Sequence, residues 1–206
     1  MASTEQHRAI AAFWQWFREN KSNLDSLAET SDPLWDVTLE RLKAIAQGLW
    51  FELSNLGVTP REFIITVEGQ TDLFDLVEEI VEEAPADPNW KFVALKPPMG
   101  FDFKTTYEGI ELDPKALWFL PLENSADPLA LGLRIGVPDY KLDKQRSIHN
   151  AVLVILDTAL GERVAASKIQ HVEVRRLPQS PEANGYIALT ELADYVEWRK
   201  RKLPKP

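Results

Sequence analysis

The side chains of this sequence that exchange protons near neutral pH are three histidines, His7, His149 and His171. None has a second ligand at the i, i+4 spacing of a helical metal site. His171 stands in the stretch Ile169-Gln170-His171-Val172-Glu173. A strand's period of two puts it on the same side as Glu173. That pair could bind a ligand or transfer a proton, although exposed strand faces carry such pairs routinely. Asp157 and Glu162 flank a helix end near Gly161 and could meet His171 in space. An acid–base or small-ligand site would therefore be assembled from His171, Glu173, Asp157 and Glu162, which are dispersed along the chain. His149, followed by Asn150, falls near the start of a helix, where polar residues are ordinary.

A second set is purely acidic. Asp75, Glu78, Glu79, Glu82 and Glu83 fall on the outer side of a helix expected over 71–84. The i, i+4 pair Glu78 and Glu82 costs such a helix a few tenths of a kcal/mol, roughly. The cluster suits a basic partner or a cation, and a solvated polar face is the simpler account. Other chemistry is missing at the level of motif. There is no Gly-x-Ser-x-Gly elbow, no Walker-type phosphate loop and no Gly-x-Gly-x-x-Gly. With no cysteine, disulfides, thiolate metal sites and cysteine nucleophiles are excluded together. No cofactor and no metal are expected.

Charge narrows the partners. The net charge is −9, yet the last eight residues carry five positive charges, so the remainder stands at −14. An acidic body repels a phosphate backbone, and nucleic acid is not an expected partner. The segment 199–206 reads as cations at a helix C-terminus followed by a frayed basic tail. The N-terminal residues lack a basic region followed by an apolar run, and the longest apolar run, Ala151 to Leu156, is far too short to span a bilayer. A cytoplasmic setting of bacterial type, without membrane contact, is expected.

The elements that must position these groups follow from hydrophobic spacing. Ile10, Phe13, Trp14 and Phe17 define a helix over 5–20, and Asp32-Pro33 starts a second one marked by Trp35, Leu39, Leu42 and Leu49. These two predict a helical hairpin over 1–48. Strands are expected at 49–54 and 62–67 as an antiparallel pair, then the acidic helix, then a strand at 90–95. The stretch 101–112 alternates and reads as one further strand at an edge. Residues 116–121 and 129–137 read as a pair joined by a polar loop at 123–127. Residues 141–160 are ambiguous, but the spacing of Ile148, Val152, Ile155, Leu156 and Ala159 favours a helix stopped at Gly161. A strand at 169–175, a short one at 185–188 and a helix from about Thr190 complete the order. No internal repeat is visible.

This order predicts one α+β domain over 1–206: a mainly antiparallel sheet with helices packed on one face, on a ferredoxin-like split β-α-β plan.

The middle of the chain resembles a group of uncharacterised bacterial α+β proteins. The resemblance rests on Trp50-Phe51-Glu52-Leu53, on Arg61-Glu62-Phe63-Ile64-Ile65-Thr66-Val67-Glu68-Gly69, on Ala84-Pro85 and on Trp90-Lys91-Phe92. It covers about 49–95 and resumes with Leu160-Gly161-Glu162 to about 175. These motifs describe packing and turns and imply no activity. In layout the chain is also similar to small ferredoxin-like bacterial regulators that bind other proteins, which is an analogy of fold.

Two functions of different kinds follow. The first is a non-enzymatic protein-binding or regulatory domain whose partner is a basic protein. The alternative is an enzyme or small-ligand binder using His171, Glu173, Asp157 and Glu162. Homo-oligomerisation through a strand edge or the N-terminal helices is compatible with both.

Overall fold

Capping chemistry and apolar spacing are realised element by element in the computed structural model, which describes residues 2–122 and 130–202. The chain divides into two compact units, residues 1–96 and 97–206.

The first unit opens with α1 (Thr4–Leu24), whose start is closed by a capping box between Ser3 and Gln6. Helix α2 (Pro33–Lys43) begins as expected: Asp32 accepts the Leu34 amide at 2.8 Å, and Pro33 occupies a position needing no N–H. Strands β1 (Trp50–Leu53) and β2 (Arg61–Thr66) pair antiparallel. Helix α3 (Phe74–Glu82) then returns the chain to β3 (Trp90–Ala94), which runs parallel beside β2. Aromatic rings make the core. Phe13, Trp14 and Phe17 of α1 meet Phe63, Trp90 and Phe92 of the sheet at ring-centroid distances of 4.7–6.1 Å. Helix α2 reaches this layer through Trp35 on Phe51 and touches α1 where the Arg41 guanidinium lies over Trp16. Both N-terminal helices therefore belong to the same unit as β1–β3.

In the second unit, the stretch read as one strand is a hairpin of β4 (Thr105–Tyr107) and β5 (Ile110–Leu112). Glu108 and Gly109 both have positive φ, the mirror-image turn that suits a strand twist. Strands β6 (Trp118–Leu122) and β7 (Leu131–Val137) pair antiparallel. The polar loop expected at 123–127 lies outside the described residues, as does the tail beyond residue 202. The ambiguous segment is helical: α4 (Gln145–Leu160) ends at Gly161, φ +77°, where a side chain would be strained. The Met99 and Gly100 amides bond the Thr158 and Ala159 carbonyls near that end. Helix α5 (Glu162–Lys168) feeds β8 (Ile169–Arg176), which is parallel to β7. Strand β9 (Ile187–Ala188) pairs with β6, and α6 (Leu192–Lys202) follows. Thr190 falls within a short 3₁₀ turn before α6 rather than at its cap.

The sheet order is β8-β7-β6-β9. Odd-numbered residues of β7, Leu131 to Val137, and Val174 of β8 face a core shared with Ile148, Val152 and Ile155 of α4 and with Leu192 and Val196 of α6. The fold is α+β with six helices and three mostly antiparallel sheets among the described residues. A split β-α-β plan needs a strand between the two parallel ones. Here β2 lies directly beside β3, and β7 directly beside β8. The two units thus repeat one order, antiparallel pair, helix, adjacent parallel strand, without a repeat in the sequence. No described helix is long and apolar enough to cross a membrane.

Candidate functional site

Strand β8 ends its sheet, and its two sides are set by alternation. Val172 and Val174 pack toward α4. His171, Glu173 and Arg175 take the opposite face. A Cβ added at Gly132, which alternates with the core residues Leu131 and Leu133, would come within 3.7 Å of the His171 Cβ on that face. The backbone follows the same rule. Leu177 donates its amide to the Val137 carbonyl at 3.0 Å. Residues two and four places before it, Arg175 and Glu173, therefore turn their N–H and C=O toward β7. Those of Val172, Val174 and Arg176 turn outward, where no described strand meets them.

Along this outer edge runs a groove of about 340 Å³. Four consecutive β8 residues, Val172 to Arg175, form one wall. The first turns of α4 form the other with Gln145, Arg146 and His149, and Tyr140 closes an end. The Arg176 guanidinium holds that end in place by donating to the Tyr140 carbonyl at 2.8 Å.

The charges of the groove are unequal in their commitments. Glu173 accepts from the Arg134 Nε and, at 3.1 Å, from the Arg175 Nη2. The hydrogen bond to Glu173 raises the Arg134 pKa above its ordinary value, so this guanidinium stays charged. Glu173 is therefore spent on two guanidinia. Arg146 is exposed and has no ion-pair partner among the described residues. The groove is net positive on a chain of net charge −9.

The four residues expected to converge do not all share a face. His171 is exposed and Glu173 half-buried, side by side on the outer face of the sheet. Asp157 is half-buried on α4, which covers the inner face, and Glu162 is fully buried at the start of α5. Of the four only Glu173 lines the groove. Among the described residues no group of three or more His, Cys, Asp or Glu is placed to hold a metal ion.

The acidic helix is partly consumed within its own unit. Glu79 accepts the Ala2 amide at 2.6 Å, and Glu83 faces the His7 Nδ1 at 3.0 Å. The Ala2 hydrogen bond holds the Glu79 carboxyl below its usual range. Asp75, Glu78 and Glu82 are exposed.

Sequence reasoning missed Arg146, Arg175 and the outward edge of β8. Arg175 carried a signal, since it shares a strand side with Glu173. The pairing with Arg134 did not, because it depends on which strand lies next door. No family profile, no curated protein and no solved structure matches the chain.

Proposed function

We propose that the chain is a binding module for another polypeptide, which it receives as an added strand on the outer edge of β8. The observation that carries this reading is the outward row of main-chain groups at Val172, Val174 and Arg176 beside a groove walled by α4. Main-chain hydrogen bonds to such an edge contribute about 0.5–1.5 kcal/mol each, and the adjacent groove supplies side-chain selectivity. An exposed edge without a partner is a hazard that proteins usually blunt with charge, as Arg175 and Arg176 do here. The test is capture of a partner from native lysate followed by amide hydrogen exchange on the complex. Val172 and Val174 gain protection, while Glu173 and Arg175, already bonded to β7, change little. Val172→Pro removes an outward donor without touching the ladder and abolishes capture. Unchanged exchange at Val172 and Val174 in the complex refutes the proposal.

A second reading keeps the basic partner on α3, and the exposure of Asp75, Glu78 and Glu82 favours it. Because Glu79 is engaged by Ala2 and Glu83 by His7 of α1, the informative variant is Asp75→Lys with Glu82→Lys. Undiminished capture by that variant removes this reading.

A further inference from the structure

Resting on the edge-strand reading, we infer that the segment β8 receives is an extended acidic one, whose carboxylates meet Arg146 on the side of α4 and Arg175 on the opposite face of the sheet. Three observations fix the sign of the ligand. Arg146 projects from the first turn of α4 with no ion pair among the described residues. That turn contains no acidic residue, and the helix starts without a side-chain cap. The one carboxylate lining the groove, Glu173, is held by two guanidinia and has little left to repel an incoming anion. Gln145 and His149 add donors on the same wall as Arg146.

Strand addition gives these groups a fixed spacing to read. An added strand directs alternate side chains to the same side, about 6.6–7 Å apart. Acidic residues at i and i+2 therefore pass the α4 wall in succession. Guanidinium forks match carboxylates in two parallel hydrogen bonds, which a lysine-bearing segment cannot supply. A basic segment would meet Arg146 and Arg175 as like charges. Discrimination by sign is thus built into the groove, while affinity comes from the main chain.

A display library of degenerate decapeptides, panned on the full chain, tests this directly. Recovered peptides are enriched in Asp and Glu at alternate positions. The best of them loses about tenfold in affinity when Arg146→Glu and Arg175→Glu are combined. Its binding protects the Val172 and Val174 amides from exchange. Circular dichroism of the variant, unchanged from the parent, separates lost recognition from lost folding. Recovered peptides with no acidic bias that still protect Val172 and Val174 overturn the acidic ligand and leave the edge reading standing. Recovery of no peptide, or binding that leaves those amides unprotected, overturns both.

Discussion

Removing the Arg61 guanidinium tests what ties the N-terminal helices to their sheet. Arg61 sits at the start of β2 and is 7% exposed. Its Nη1 donates to the Leu24 and Asp25 carbonyls at 2.7 and 3.0 Å, and its Nη2 donates to the Leu27 carbonyl. The planar group also lies 5.3 Å from the centre of the Trp90 ring. It therefore closes the backbone where α1 ends, largely shielded from water. Arg61→Met preserves length and apolar volume but leaves the Asp25 and Leu27 carbonyls without their donor, while the Leu24 carbonyl keeps only the Leu27 amide at 3.2 Å. Each such group costs about 1–3 kcal/mol, and the lost cation–π contact adds roughly 0.5–2 kcal/mol. Relief of the guanidinium's own desolvation, the main cause of its lowered pKa, offsets part of this. The expected net loss is about 3–5 kcal/mol. Five of the seven tryptophans lie in residues 1–96, so their fluorescence in a urea titration reports mainly on this unit. With a slope of about 1.5 kcal/mol/M the midpoint falls by roughly 2–3 M. Arg61→Lys recovers only part of the loss, because one ammonium cannot span three carbonyls. A midpoint shift below about 0.5 M for Arg61→Met would refute the clamp.

Three further outcomes follow from the same structure. Trp14→Phe deletes the indole donor to the Ile80 carbonyl (2.8 Å) and costs about 1–3 kcal/mol, read in the same urea titration. Gly136→Ala places a Cβ within 2.5 Å of Leu177 Cδ1 and 3.1 Å of Tyr186 Cε1, and costs about 1–2 kcal/mol in calorimetry. Adding Leu177→Ala returns part of that loss, and strictly additive effects would contradict the packing described. Glu79 titrates below its ordinary value of 4.5 because the Ala2 amide bonds its ionised form. A depressed carboxyl stabilises the fold above that value and stops doing so as pH falls through the lowered one, so docking of Ala2 loosens in that acid window. Carboxyl NMR with a midpoint at or above 4.5 would overturn this.

What the sequence by itself determined is local. Asp32-Pro33 declared a helix start, and Ile10, Phe13, Trp14 and Phe17 declared a buried face, because caps and periodicity act within a few residues. The alternation of 131–137 and the helical spacing of 145–160 were legible for the same reason. The stretch 101–112 misled, because a two-residue turn interrupts alternation too briefly to show. Tertiary structure alone decided which strand lies beside which. That one choice paired Glu173 with Arg134, parted His171 from Asp157 by the thickness of a sheet, and left β8 with an unpaired edge. Strand order is settled by how helices and loops return the chain, a long-range matter that no short window of residues encodes.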